Sequence, residues 1–141
     1  MSLLKPSEEQ SVLTAIASAE KCTSGEIRVH IESFCFGDPF KQALKKFKQL
    51  NMEATQQRNG ILIYIATASK KLAIVGDEGI HAHVGQSFWD ELIGLLQDGF
   101  KHADYASALL ACIERCGELL SQYFPLQAGD KNELSNEISF G

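Results

Sequence analysis

The sequence predicts an α/β protein: a three-layer α/β/α sandwich with a small mixed sheet, formed by a parallel strand pair and an antiparallel hairpin strand. Three short segments, 26–32, 61–66 and 72–75, have the alternating or continuous apolar pattern of strands. The segments around them repeat their apolar residues at helical spacing. Because 61–66 is apolar or aromatic throughout, we expect that strand to be covered on both faces, which requires helices on each side of the sheet.

Length and composition indicate one domain. The chain has 141 residues, 45% of them hydrophobic, and we expect a single α/β domain over residues 1–125 and a polar tail over 126–141. The net charge of -5 argues against a nucleic-acid binder. No secretory signal is visible, and the longest apolar run is too short to cross a bilayer. We therefore expect a cytoplasmic protein without direct membrane insertion, and the sequence leaves the oligomeric state open.

The first helix and the first strand follow from the N-terminal quarter of the chain. Ser7 and Gln10 have the spacing of a capping box, and residues 23–25 stop the helix that begins there. Apolar and polar residues then alternate over 26–32. This pattern predicts a strand with one apolar and one wetter face, and it places His30 at the surface.

The remaining elements follow in order. A second helix over 40–50 joins the first two strands, and its lysines indicate a solvated face. The polar turn 69–71 makes the next two strands a hairpin, and 81–85 is expected to be a loop. Ser87 and Asp104 are suitable N-caps for the last two helices.

No motif identifies catalytic residues. The chain lacks a phosphate-binding lysine loop, a serine nucleophile elbow and an H-E-x-x-H zinc motif. The cysteines show neither zinc nor disulfide spacing, and we expect them to be reduced and structural. They are Cys22, Cys35, Cys112 and Cys116. Any catalytic residues are therefore unknown from sequence alone.

The predicted topology brings acidic residues together at one edge of the sheet. The connecting helix makes the first two strands parallel, whereas the hairpin reverses the third. The residues expected at this edge are Asp77, Glu78, Glu26, Asn59, Trp89 and Asp90. Carboxylate oxygens are preferred ligands of Ca²⁺ and Mg²⁺. The alternative is that Asp77 and Glu78 only shape a turn between two glycines.

Several segments, in their order and spacing, resemble the TPM domain family, which is named from thylakoid-lumen, photosystem-repair and nematode modulator proteins. The matching segments are Thr23-Ser24-Gly25-Glu26-Ile27-Arg28-Val29, Arg58-Asn59-Gly60-Ile61-Leu62-Ile63-Tyr64, Gly76-Asp77-Glu78-Gly79-Ile80, Phe88-Trp89 and Asp104-Tyr105. The closing Asn132-Glu133-Leu134 and Glu137-Ile138-Ser139-Phe140-Gly141 resemble the stand-alone, soluble bacterial branch.

The resemblance implies an α/β/α sandwich with an acidic cleft that holds divalent cations in some members. Asp77 matches the turn after the third strand, and Asn59 stands where many anchored members have aspartate. The candidate metal ligands, for Ca²⁺ or Mg²⁺, are thus Asp77, Glu78, Glu26 and Asp104. The candidate cleft residues are Asn59, Trp89 and Asp90.

Two functions that use this edge are compatible with these residues, and a third possibility is a purely structural interaction module without any ligand, which an exposed apolar patch beside Trp89 would favour. The first is a non-enzymatic accessory domain, whose acidic edge holds a divalent cation and docks a partner such as a membrane protein. The second is a metal-assisted acid phosphatase, as one plant relative of the family is described, with Asp77 or Glu26 assisting the reaction. The first is favoured, because no complete catalytic set is present and activity transfers poorly across a fold.

Overall fold

The computed structural model describes residues 3–126 and 138–141. Within these ranges the chain forms five helices and four strands. Their bounds are α1 Pro6–Glu20, β1 Glu26–Glu32, α2 Pro39–Gln49, β2 Gly60–Ala66, β3 Lys71–Gly76, α3 Glu78–Val84, α4 Gln86–Lys101, α5 Tyr105–Tyr123 and β4 Ile138–Phe140.

The four strands form one mixed sheet in the order β3-β2-β1-β4. β1 and β2 are parallel, in a register that pairs Glu26 with Gly60. β2 and β3 are antiparallel, and Ile61 pairs with Gly76. The predicted parallel pair and reversed hairpin strand are both confirmed.

Helices cover both faces of the sheet, as the apolar β2 requires. One face packs against α1, α4 and α5 through a core that includes Ile16, Leu96 and Leu109. The other face packs against α2 and the residues after it, through Phe47 and Met52. Every residue of β2 is buried, so the predicted three-layer sandwich is confirmed.

Two predicted helix starts were wrong, and one helix was not predicted. α1 begins at Pro6 rather than after Ser7, because proline suits the first helical position, and the Lys5 N–H donates to Glu8 Oε1 at 2.8 Å. Residues 78–84, expected as turn and loop, form α3, whose N-cap is Asp77. α4 begins at Gln86, ahead of the expected Ser87 cap.

The face of β1 that carries His30 is buried. The prediction that His30 lies at the surface was therefore wrong. That side chain is only 3% exposed, because the α2 layer covers it. Its Nε2 lies 3.3 Å from Glu32 Oε1, and Tyr64 donates a hydrogen bond to the same carboxylate. The alternating pattern predicted that solvent would hydrogen-bond to His30. Polar side chains of the protein take that role instead. Burial lowers the pKa of His30 below its ordinary value.

The C-terminal residues 138–140 add a strand that the sequence did not predict. β4 runs parallel to β1, with Val29 opposite Ile138. The Ser139 hydroxyl lies 2.8 Å from His30 Nδ1, so β4 also helps to satisfy that buried ring. Residues 127–137 of the expected polar tail lie outside the described residues.

All four cysteines are free thiols, in agreement with the sequence expectation of reduced residues. Cys35, Cys112 and Cys116 are buried and pack in the two cores, whereas Cys22 is exposed. The three buried thiols therefore act as small apolar residues.

A side chain at Gly79 would collide with the loop before β2. A Cβ placed there would lie 2.1 Å from the Gln57 carbonyl oxygen and 2.6 Å from that of Arg58. We expect Gly79→Ala to lower the free energy of unfolding by about 1–3 kcal/mol, because backbone must move to admit the methyl group. Urea unfolding monitored by circular dichroism measures this change.

Gly94→Ala is the matched control. A Cβ at Gly94 in α4 would have no neighbour within 4 Å. Alanine should raise the free energy of unfolding there by about 0.5–1 kcal/mol, since glycine weakens a helix interior. Equal effects of the two substitutions would contradict the close packing described for Gly79.

Candidate functional site

Three chain segments meet at one end of the sheet, as the topology predicted. β1 and β2 both begin there, and β3 ends there. The Asp77 N–H donates to the Gly60 carbonyl oxygen at 2.9 Å, which ties the end of β3 to the start of β2. The Gly79 N–H donates to the Arg58 carbonyl oxygen at 2.8 Å, which holds α3 against the preceding loop.

Asp77 is held by a bidentate ion pair with Arg58. Arg58 Nε donates to Asp77 Oδ2 at 2.7 Å, and Nη2 donates to Oδ1 at 2.9 Å. Oδ1 also accepts the N–H of Glu78, the first residue of α3, at 2.8 Å. Asp77 is 6% exposed, whereas the Arg58 side chain is 41% exposed. A buried carboxylate is thus neutralised by a cation that faces solvent.

Glu78 belongs to the same charge cluster. Its Oε1 lies 3.4 Å from Arg58 Nη1, and its side chain is 74% exposed. The hydrogen bonds from Arg58 to Asp77 raise the pKa of the guanidinium, and Glu78 adds to that effect. The predicted acidic pair therefore forms, but with a permanent positive charge between its members. In the sequence, Arg58 stands out only as part of the segment that resembles the TPM family, and the spacing gave no role for Arg58.

Glu26 is directed to a different partner. It is buried at 2% exposure beside Glu20, which is 4% exposed. Glu20 Oε1 accepts the Ile27 N–H at 2.9 Å on the edge of β1. Burial, followed by the hydrogen bond with Glu26, raises the pKa of Glu20 to about 9. Glu20 therefore keeps its proton at neutral pH, and Glu26 lies beside this neutral carboxyl group inside the protein.

Asn59 is buried between the starts of β1 and β2. It is 1% exposed, its N–H donates to Thr55 Oγ1 at 3.3 Å, and its Nδ2 donates to Ser24 Oγ at 3.3 Å. Its Oδ1 is buried and has no hydrogen-bond partner among the described residues. A buried carbonyl oxygen without a donor is unfavourable by about 1–3 kcal/mol, and such atoms commonly mark a ligand or water site.

Trp89 and Asp90 occupy different surroundings. Trp89 is 3% exposed, its Nε1 donates to His81 Nδ1 at 2.9 Å, and its ring lies against Gly76. It therefore forms a wall behind the end of β3. Asp90 is exposed, and its Oδ1 accepts from Gln86 Nε2 at 3.0 Å.

Asp104 lies at the opposite end of the sheet from Asp77. The adjacent Tyr105 lines a cleft with Ile65 and Ala66, at the C-terminal end of β2. The fold therefore does not gather all four predicted metal ligands at one place. Within residues 3–126 and 138–141, no three His, Cys, Asp or Glu side chains form a group able to hold a metal ion.

A cleft adjoins the Asp77–Arg58 pair and straddles the outer edge of β3. We call it the edge cleft; its volume is about 340 Å³. Phe40 and Leu44 of α2 form one wall and are 46% and 36% exposed, while Trp89 belongs to the opposite wall. The apolar wall was missed because helical spacing shows which residues share a face but not how far that face is covered.

Comparison with known proteins places the chain in a family. The family model of the TPM domain matches residues 1–119, and the chain belongs to the TPM domain family. No functionally curated protein matches it. The family resemblance inferred from the sequence is therefore confirmed.

Solved structures agree with this assignment. The NMR structure of the BA42 protein from the psychrophilic bacterium Bizionia argentinensis is 42% identical, with a TM-score of 0.90, over 98% of this chain and 95% of that chain. The N-terminal domains of the cg2496 protein from Corynebacterium glutamicum and of a P. gingivalis protein are each 17% identical with TM-scores of 0.65. They cover 83% and 86% of this chain, and 74% and 79% of their own. These two share the fold.

Each helix that the structure describes is too short or too polar to span a bilayer.

The Glu20–Glu26 pair makes stability depend on pH. The folded chain keeps a proton on Glu20 up to about pH 9, whereas the unfolded carboxyl releases it near 4.5. The free energy of unfolding should therefore fall as pH rises from about 5 to 9. We expect Glu20→Gln, whose neutral amide replaces the protonated carboxyl group, to flatten this dependence and to be more stable than wild type at pH 8.5.

Urea unfolding between pH 5 and 9 measures the effect. Glu114→Gln is the control, because Glu114 is exposed on α5. It should keep the wild-type slope of stability against pH. An unchanged slope in Glu20→Gln would show that Glu20 does not carry a proton in the folded chain above pH 5.

Proposed function

We propose that this TPM domain is a non-enzymatic accessory domain whose acidic edge binds a divalent cation and docks a partner protein beside it. The acidic edge consists of Asp77, Glu78 and Asn59. The observation that carries the proposal is the buried Oδ1 of Asn59, which has no hydrogen-bond partner among the described residues. The residue after it, Gly60, accepts the Asp77 N–H, so Asn59 and Asp77 belong to neighbouring segments of this edge. A cation would supply the missing positive partner for Asn59 Oδ1.

The chemistry of these residues fits a hard cation. Ca²⁺ takes six to eight oxygen ligands from carboxylates, amide carbonyls and water, while Mg²⁺ retains more water. Asp77 and Glu78 would supply carboxylate oxygens and Asn59 an amide oxygen. Glu26 is left out of this set because it is 2% exposed and lies beside the protonated carboxyl group of Glu20. Asp104 is excluded by its position at the other end of the sheet.

Arg58 is the built-in competitor for the same oxygens. Its guanidinium contacts Asp77 and Glu78 within 3.4 Å, so a cation has to displace it. Displacement is feasible because Arg58 is 41% exposed and its head group can hydrate. The affinity for Ca²⁺ is therefore weak, and cation binding releases a positively charged side chain at the edge cleft.

The edge cleft is the surface that a partner would use. Phe40 and Leu44 leave apolar area exposed beside the acidic edge, and Arg58 lines the same cleft. Cation binding would move the Arg58 charge beside this exposed apolar surface. A partner protein that contacts the surface would therefore bind in a cation-dependent way. The partner class that the family resemblance suggested is a membrane protein.

We expect Arg58→Gln to bind Ca²⁺ about tenfold more tightly than wild type, because one charge-assisted competitor is removed. Asp77→Asn should lose detectable binding. Amide NMR shifts in a Ca²⁺ titration to 20-fold excess over about millimolar protein measure both, with a parallel Mg²⁺ titration.

Arg115→Gln is the matched control, since Arg115 pairs with Glu91 and Glu118 on the α4–α5 surface. Its Ca²⁺ affinity should equal that of wild type. If wild type and Arg58→Gln both show no shifts near Asp77, or if Arg58→Gln binds more weakly while still folded, the cation site is refuted.

The alternative, a metal-assisted acid phosphatase, requires convergent carboxylates that are free to hold a metal and a phosphoryl group. In this chain Arg58 engages both carboxylates of the acidic edge, which favours the accessory function. We expect p-nitrophenyl phosphate to be turned over at the same background rate by wild type and by Asp77→Asn. A metal-dependent rate that Asp77→Asn abolishes would establish the phosphatase instead.

A further inference from the structure

A second and larger cleft lies at the opposite end of the sheet. It has a volume of about 740 Å³, within the range of about 300–1,000 Å³ that is usual for small-molecule sites. It is formed where β2 ends, by the β2–β3 turn, the last turns of α4 and the start of α5. We call it the lysine cleft, after Lys70, Lys71 and Lys101 in its lining.

The interior of the lysine cleft is largely apolar. Ile65 and Leu72 come from the sheet, and Phe100 and Tyr105 come from the helices, with their rings in edge-to-face contact at 5.0 Å. This contact fixes the two rings as a rigid wall. The cleft is therefore suited to an apolar body rather than to a small polar ion.

The charge of the lysine cleft differs from that of the chain as a whole. The chain has a net charge of -5, yet three lysines and no aspartate or glutamate line this cleft. Among the residues that the structure describes, no carboxylate forms an ion pair with any of these lysines. Lys71 Nζ donates to the carbonyl oxygens of Cys35 at 3.1 Å and Gly37 at 2.7 Å, which leaves its positive charge without an anion.

Two exposed aromatic rings stand at one side of the cleft. Phe34 lines it and is 60% exposed, and its ring stacks on that of Phe36, which is 91% exposed, at 5.9 Å. The loop that carries them is held in place by the bonds from Lys71 and by the Cys35 N–H, which donates to Ser69 Oγ at 2.9 Å. The exposed rings of Phe34 and Phe36 form apolar surface whose contact with water is unfavourable. A ligand that covered them would remove this contact.

We propose that the lysine cleft binds a single-chain amphiphile with an anionic head group, such as a fatty acid or a single-chain lipid phosphate. The apolar chain lies against Phe34, Leu72 and Phe100, and the head group meets the ammonium groups of Lys70 and Lys101. The opposite charges of head group and rim, together with the apolar interior, select this class over neutral lipids and over polar anions. The inference is independent of the cation site at the acidic edge.

The test uses monomeric dodecanoate, followed by amide NMR shifts below its critical micelle concentration. We expect saturable shifts at residues 65–72 and 97–105. Decanoate should bind about fifteenfold more weakly, because each buried methylene contributes about fourfold to the dissociation constant. Dodecyl phosphate should also bind, whereas dodecanol should bind clearly more weakly than dodecanoate.

Two lysine variants test the head-group contact. Lys70→Gln and Lys101→Gln should each weaken dodecanoate binding about two- to fivefold and leave dodecanol binding unchanged. Lys45→Gln, at an exposed position on α2 outside the cleft lining, is the matched control and should bind dodecanoate as wild type does. Phe34→Ser should leave the fold intact because the Phe34 side chain is exposed. It should weaken the binding of dodecanoate and of dodecanol by the same factor.

Three results with monomeric ligands would overturn the proposal. They are equal affinity for dodecanol and dodecanoate, absence of a chain-length effect, and shifts that map away from the lysine cleft. Vesicles of anionic phospholipid form a separate arm: binding to vesicles without binding to monomeric dodecanoate would show a membrane-surface contact and would refute a ligand cleft. Binding of monomeric dodecanoate that persists when vesicles are present would support the ligand cleft.

Discussion

The bidentate pair between Arg58 and Asp77 is the interaction on which the acidic edge depends. It neutralises a carboxylate that is 6% exposed and joins the loop before β2 to the residue that caps α3. Because the loop backbone also accepts the Gly79 N–H, the end of β3 and the start of β2 are fixed relative to each other. An exchangeable divalent ion would meet a site already held in shape by an arginine, so cation binding becomes a substitution of one positive group for another.

The two ends of the sheet have opposite chemical character. The end where β1 and β2 begin holds Asp77, Glu78 and the buried pair of Glu20 and Glu26. The end where β2 finishes opens into an apolar cleft rimmed by lysines. The two proposals, a cation site and an amphiphile cleft, therefore concern separate surfaces of one small domain. The intervening sheet is covered on both faces, which keeps the two surfaces apart.

The sequence predicted the sheet more fully than the site. The apolar run of β2 and the polar hairpin turn specify a buried central strand with a parallel and an antiparallel neighbour, and this arrangement is what the structure contains. Spacing could not reveal that Glu26 would face Glu20, because that contact depends on where α1 ends relative to β1. The burial of His30 was missed for a similar reason, since its partners come from Glu32, Tyr64 and Ser139 on three different strands. β4 has three residues, too few for a periodic signal.

The state of the Arg58 side chain during a Ca²⁺ titration tests the central claim most directly. The Nε–Hε resonance of Arg58 in ¹⁵N-labelled protein reports its hydrogen bond to Asp77 Oδ2, a contact of 2.7 Å. We expect this resonance to move to the position of a solvated arginine in step with the amide shifts of Asp77 and Asn59. A resonance that stays at its ion-paired position while Ca²⁺ saturates those amides would contradict the exchange of arginine for metal.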